Sequence, residues 1–228
     1  MLAAIIVAGG SSRRMGSDKT FAQLAGKAVI EHTVAAFQET SSVEEIVVVG
    51  RSDRIAELRE LLANNNFDKI RHIVPGGLLR QDSVREGLQH ISRGCDFVCV
   101  HDAARPLVTR AQNERVFAAA QQFGAAALAA PVNDTLKRAT EDLVVCDSVD
   151  RERLYAMQTP QMFSRELLED AFARLAADQV SVTDEVSAVQ RLGRDVVLVP
   201  NDDHNFKITF PTDLALAELV LAMRARSS

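Results

Sequence analysis

The run Leu2–Ala8, LAAIIVA, is apolar at every position and stops at Gly9 and Gly10. A strand that is apolar on both alternating faces must be covered on both. That is the situation of a central strand in a parallel sheet. The same texture returns at residues 44–50, 69–74, 97–101, 125–130 and 196–200. Between these runs, apolar residues recur at helical spacing over 29–37, 53–63, 84–92, 109–123 and 165–176, and a last helix is predicted over 211–224. Ser52, Thr109 and Thr183 are the expected helix caps, and Pro211 suits a first turn. The alternation predicts an α/β chain with a mostly parallel, twisted sheet, right-handed crossovers and helices on both faces. A shorter strand is expected at 205–209, carrying Lys207.

The loop after the first strand reads Gly9-Gly10-Ser11-Ser12-Arg13-Arg14-Met15-Gly16, with Lys19 close behind. Glycines admit a ligand close to the backbone, and successive N–H groups form an anion cradle. Ala8, Gly9 and Gly10 are the candidate backbone contacts for a nucleotide, with Arg14 and Lys19 as cations for its phosphates. The spacing fits neither G-x-x-x-x-G-K-[ST] nor G-x-G-x-x-G. The bland alternative is an ordinary strand-to-helix turn with solvated arginines.

Two more strand ends carry chemistry. After residue 74 come Pro75-Gly76-Gly77-Leu78-Leu79-Arg80-Gln81-Asp82-Ser83. Ligands of open α/β sheets sit beyond the carboxyl ends of the strands. There Gly77 could admit a ligand, Arg80 could meet a phosphate, and Ser83 could donate to a phosphate or a base. Alternatively the segment is a turn with Asp82 or Ser83 capping the next helix. The strand at 97–101 runs into Asp102-Ala103-Ala104-Arg105. Asp102 is the candidate ligand of a divalent cation, since Mg²⁺ accepts one or two carboxylates plus substrate phosphates. A structural Asp102–Arg105 ion pair is the other reading. His101 is assigned no chemistry.

Composition excludes several classes. The net charge of −5 argues against a nucleic-acid binder, and one tyrosine with no tryptophan leaves no aromatic platform for single strands. No apolar run reaches membrane-spanning length, and Leu2–Ala8 is too short for a secretory leader. Cys95, Cys99 and Cys146 are few, odd in number and without metal spacing, which suits a reducing, cytoplasmic compartment.

Past residue 131 the texture turns polar and basic, and a short β-like run follows at 143–148. This predicts an arm of short strands at about 132–157, leaving a single domain of 228 residues. Two strands alone are marginal in water, so the arm predicts a symmetric homodimer.

Six stretches in order, AGGSSRRMG, HDAARP, PVNDTLKR, VDRERLYAMQTPQ, TDEVSAV and NFKIT with P-x-D-L after it, resemble the 2-C-methyl-D-erythritol 4-phosphate cytidylyltransferase family among sugar-phosphate nucleotidyltransferases. The resemblance spans nearly the whole chain. It departs at the first loop, where serine stands for a second glycine, the segment from Met15 to Lys19 is short, and no proline precedes Lys19. The resemblance implies a Rossmann-like nucleotidyltransferase fold and a homodimer with exchanged arms. It also implies CTP as co-substrate, Mg²⁺ and release of pyrophosphate, in non-mevalonate isoprenoid biosynthesis. By position it assigns Arg14 and Lys19 to the transition state, Arg151 and Lys207 to placing the methylerythritol phosphate, and Thr135 to a contact made from the neighbouring subunit. Asp102, Arg105, Gly77 and Ser83 fall around the cytidine and substrate. The pattern is that of the single-activity form.

Ribitol 5-phosphate cytidylyltransferases are the nearest competitor, but Lys137 and Arg151 favour methylerythritol phosphate. A non-catalytic nucleotide-binding module would not need Asp102 and Lys207. A nicotinamide-dependent oxidoreductase fails on the glycine spacing.

Overall fold

The computed structural model describes residues 1–10, 15–16 and 18–227. Arg14, a predicted catalytic residue, lies outside the described residues.

The elements follow in chain order. β1 (Leu2–Ala8) leads into the short hairpin β2 (Gln23–Leu24) and β3 (Lys27–Ala28), then α1 (Val29–Gln38) and β4 (Val43–Gly50). A single 3₁₀ turn, Ser52–Arg54, precedes α2 (Ile55–Ala63). Next come β5 (Ile70–Pro75), α3 (Arg80–Gln89), β6 (Phe97–Asp102), α4 (Arg110–Phe123) and β7 (Ala125–Pro131). The arm strands β8 (Leu136–Ala139) and β9 (Val145–Val149) are followed by β10 (Tyr155–Ser164), α5 (Arg165–Asp178), α6 (Glu185–Gln190), β11 (Val197–Pro200) and α7 (Pro211–Ser227).

Among the described residues seven strands form one sheet in the order β11-β7-β10-β6-β1-β4-β5. All its pairings are parallel except those of β10, which runs antiparallel to both β6 and β7. Alternation along β1 shows why both sides are covered. Leu2, Ala4 and Ile6 join the cluster that contains Ile30, Val34 and Phe37 of α1 with Leu58 and Leu62 of α2 and Val116 of α4. Ala3 and Ile5 join the opposite one, with Val84 and Leu88 of α3, Leu168 and Phe172 of α5 and Val189 of α6. Each such large side chain contributes about 1.5–3 kcal/mol on burial. α3 lies so close to the sheet that a Cβ on Gly87 would stand 2.7 Å from Ile5 Cγ2, which is why glycine occupies that helical position. A third cluster seats α7, through Ala217 and Val220, on Leu24, Val29, Leu107 and Ile208.

Several expectations are corrected. β10 was not anticipated as a sheet strand. Its N-terminal residues Tyr155–Met157, expected in the arm, pair with Pro131, Ala130 and Ala129 of β7. Its pattern is masked because the ladder on β7 breaks between Met157 and Gln161, where Pro160 has no N–H to give. Residues 205–209 form no strand. α3 starts at Arg80, four residues earlier than expected, with the Leu79 N–H bonded to Asp82 Oδ2 at 3.1 Å, so neither Asp82 nor Ser83 is the cap residue. Ser52 caps nothing, since it opens the 3₁₀ turn. Thr109 caps α4 as expected, accepting the Gln112 N–H at 3.2 Å, whereas α6 is capped by Asp184, not Thr183.

Candidate active site

The carboxyl ends of β1, β5 and β6 open into a cleft of about 310 Å³. Gly9 and Gly10 form one wall with Lys19, and Arg80, Asp102 and Lys207 form the charged part. Ala8, Gly77 and Ser83 line it as well. These positions come from five separate stretches of chain. Close approach explains two glycines opposite the first loop. A Cβ on Gly76 would stand 2.4 Å from Ser83 Oγ, and one on Gly77 would stand 2.4 Å from Asp82 Cβ. The Ser83 hydroxyl is buried and donates to the Leu79 carbonyl at 3.3 Å.

Asp102 is the centre of the charge arrangement. Its Oδ1 accepts from Arg80 Nε at 3.1 Å and its Oδ2 from Lys207 Nζ at 2.8 Å. Arg105 Nε lies 3.6 Å from the same Oδ2, and Arg105 Nη1 is anchored on the Asn205 carbonyl at 2.8 Å. Burial alone would raise the pKa of Asp102, but Arg80, Lys207 and Arg105 outweigh it and hold the carboxyl well below the usual range. The Asp102–Arg105 pair left open by the sequence is therefore present, as one limb of a larger cluster.

Glu185, only 1% exposed, completes it. Its Oε1 and Oε2 accept from Arg80 Nη1 at 2.6 and 2.8 Å. Burial works against the charge on Arg80, and Glu185 with Asp102 more than offsets it, raising its pKa. Burial also pushes the Glu185 carboxyl up, against the pull of Arg80. Sequence analysis gave Glu185 no place in the site.

Beneath the cleft, the Asp102 N–H donates to Thr159 Oγ1 at 3.1 Å. Thr159 Oγ1 also lies 3.1 Å from His101 Nδ1, and His101 Nε2 lies 3.2 Å from the Arg105 carbonyl. A carbonyl can only accept, so Nε2 carries the proton and Nδ1 accepts from the threonine hydroxyl. Burial pushes His101 down to about 3, so the ring is neutral. Its two ring nitrogens tie Thr159 to the Arg105 backbone beneath the cleft.

Thr135 and Arg151 stand apart. Both are exposed on the arm, and neither lines the cleft of its own chain. Arg151 Nη1 donates to the Asn133 carbonyl, tying the two sides of the arm's base together.

A divalent cation would need oxygen donors, mainly carboxylates or phosphates, around it. Among the described residues no three His, Cys, Asp or Glu side chains converge as a metal site. Among the described residues that line it, the cleft offers the single carboxylate of Asp102, with cations on both of its oxygens. That set would fit only an ion carried mainly by phosphate oxygens, with Asp102 as the one protein carboxylate at hand.

Three comparisons bear on this arrangement. The family model described as IspD, 2-C-methyl-D-erythritol 4-phosphate cytidylyltransferase, matches residues 2–223. The chain is 40% identical over 219 residues to the 2-C-methyl-D-erythritol 4-phosphate cytidylyltransferase of Dehalococcoides mccartyi strain CBDB1, covering 96% of this chain and 95% of that one. Among solved structures, 4-diphosphocytidyl-2C-methyl-D-erythritol synthase from Anaerococcus prevotii DSM 20548 matches with a TM-score of 0.85 and 27% identity, over 97% and 96% of the two chains. The 2-C-methyl-D-erythritol 4-phosphate cytidylyltransferase of Thermus thermophilus matches with a TM-score of 0.79 and 32% identity, over 96% and 98%.

Proposed function

This chain belongs to the 2-C-methyl-D-erythritol 4-phosphate cytidylyltransferase family, and from that premise we propose how its cleft works. It transfers the cytidylyl group of CTP to 2-C-methyl-D-erythritol 4-phosphate. The products are 4-diphosphocytidyl-2-C-methyl-D-erythritol and pyrophosphate. The observation that carries the reading is the meeting of Lys19, Arg80, Asp102 and Lys207 in one cleft beyond the strand ends.

A phosphate oxygen of the sugar substrate attacks the α-phosphorus of CTP in line. The new P–O bond forms as the bond to the bridging oxygen breaks, and pyrophosphate leaves with the electron pair. The attacking phosphate is already ionised near neutrality, so no general base is required, and no protein–nucleotide bond is invoked. The obstacle is repulsion between two anions, which fixed cations offset most strongly where charge develops. Gly9 and Gly10 bring backbone N–H groups towards the triphosphate, and Lys19 supplies charge beside them. Lys207, half-exposed, exchanges its contact with Asp102 for the sugar phosphate. Arg80 and Ser83 border the nucleotide, and Glu185 keeps the Arg80 guanidinium in place. A divalent cation, when bound with the triphosphate, neutralises phosphate charge, with Asp102 as its candidate protein ligand.

The arm is read as a reach to a second copy. Among the described residues β8 and β9 pair only with each other, and the tip carries Leu143 at 85% exposure with Val144 and Val145 at 62% each. Such a hairpin gains stability on a partner surface. In the homodimer so formed, Thr135 and Arg151 of one protomer contact the methylerythritol phosphate in its partner's cleft. The rest of the chain is read as one domain. No helix among the described residues is long and apolar enough to cross a membrane, and three free thiols agree with a reducing, cytoplasmic setting.

The test is pyrophosphate release with CTP, Mg²⁺ and methylerythritol phosphate, with each omitted in turn and ribitol 5-phosphate run in parallel. Release is expected only with all three present. Release with ribitol 5-phosphate and none with methylerythritol phosphate would overturn the substrate assignment.

A further inference from the structure

Lys19 belongs to a turn that is tied to the start of α1 on its far side, the Ile30 N–H on the Thr20 carbonyl at 3.2 Å and the Val29 N–H on the Ala22 carbonyl at 2.9 Å, while its internal bonds are long. The Phe21 N–H reaches the Asp18 carbonyl at 3.2 Å and the Ala22 N–H reaches the Lys19 carbonyl at 3.4 Å, both towards the long end for such bonds. The residue before the lysine is an aspartate rather than the proline of the resembled signature, so the stiffness of a fixed φ is missing. Side chains add the restraint around Lys19 itself. Asp18 Oδ1 accepts the Thr20 N–H at 3.0 Å, closing a loop across Lys19. The other oxygen, Oδ2, is buried and has no hydrogen-bond partner among the described residues. What faces it is Arg54 Nη1, at 3.7 Å, from the 3₁₀ turn that follows β4.

Arg54 is itself held. Its Nε and Nη2 donate to the two oxygens of Glu57, each at 2.7 Å. Its guanidinium carbon lies 4.3 Å from the centroid of the Phe21 ring. The arginine therefore touches the residue just before Lys19 and the residue two places after it, while Glu57 fixes its plane. The Asp18 side chain is 7% exposed and Arg54 is 34% exposed, so this contact is only partly screened by water.

We propose that Arg54 is a positioning residue for the reaction: it holds Asp18 and Phe21 on either side of Lys19 and thereby aims the ammonium into the cleft. Arg54 does not line the cleft, and it acts on turnover only through Lys19. Without it, the buried Asp18 oxygen loses the positive charge that faces it. The carboxylate then turns to water and releases the Thr20 N–H. A displacement of about 1 Å in a charge-stabilising group is enough to lower turnover by up to about a hundredfold.

The catalytic part of this inference rests on the function proposed above, and the structural part does not, so two measurements are paired. The first is hydrogen exchange of the free protein. Arg54→Ala should speed exchange of the Thr20 amide at least about tenfold and leave the amides of β1 unchanged, and Asp18→Ala should do the same. Unchanged Thr20 exchange, or faster exchange spread over β1, would overturn the proposal whether or not the protein turns over CTP. The second is a double-mutant cycle on kcat. Arg54→Ala should lower kcat about tenfold or more with little change in KM, and Arg54→Lys should recover part of the loss. In the Lys19→Ala background the Arg54 substitution should have no further effect. An equal loss in both backgrounds would show that Arg54 acts by some route other than Lys19.

Discussion

The cleft and the arm hold their candidate site residues in opposite ways. In the cleft, Asp102 has a cation on each carboxylate oxygen, and Arg80 is gripped by two acids. On the arm, Thr135 and Arg151 are exposed, and the apolar tip faces solvent. The first region is organised by its own chain before any ligand arrives. The second has its own β8–β9 ladder, but its exposed side chains and apolar tip have no such network around them among the described residues. The contrast predicts two kinds of residue that a motif treats alike: those whose removal damages the fold and those whose removal leaves it intact.

The sharpest way to break this contrast is Asp102→Ala. It leaves Arg80, Arg105 and Lys207 without their shared counter-charge, and uncompensated buried charge costs about 3–5 kcal/mol. Chemical denaturation should show that loss, and a change below about 1 kcal/mol would mean the cluster is not held as described. Lys207→Ala should leave stability nearly intact but remove a cation from the reaction, costing on the order of 3 kcal/mol in the barrier, a hundredfold or more in turnover. Unchanged turnover would remove Lys207 from the mechanism.

pH supplies a third probe. His101 is held at about 3 in the folded chain against an ordinary value near 6.5, so the unfolded chain binds the extra proton first. Stability attributable to this ring is present above about 6.5 and falls as pH drops towards about 3, by up to about 1.4 kcal/mol per unit. The raised Glu185 works in the opposite direction, so the informative quantity is wild type minus His101→Gln between pH 6.5 and 4.5. A difference that does not change with pH would refute the assignment. The smallest stability effect is expected for Arg151→Ala, within about 0.5 kcal/mol as for other exposed sites. Its signature is a raised KM for the sugar phosphate with KM for CTP little changed.

Legibility in the sequence followed the same divide. Buried parallel strands announce themselves because both faces must be apolar, and β1, β4, β6 and β7 were readable to within a residue or two. Glycine pairs and charges at strand ends marked Gly9, Gly10, Gly77, Arg80 and Asp102, all of which line the cleft. β10 was hidden because a strand interrupted at proline breaks the period that identifies strands. Lys207 was assigned to a strand that does not form; its segment is held instead by tertiary bonds, such as the Ile208 N–H on the Ala104 carbonyl at 2.7 Å. Glu185 and Thr159 were missed as site residues because partners 105 and 57 positions away leave no local pattern.

The inverted strand has a mechanical corollary. β10 begins where the arm rejoins the sheet, passes Thr159 under the backbone of Asp102, and ends in the ladder with β6. Root of the arm and floor of the cleft thus belong to one strand, interrupted in its ladder at Pro160. A substitution that displaces the strand at the hairpin's root therefore also bears on the threonine that accepts the Asp102 N–H, so the two ends of β10 share one support.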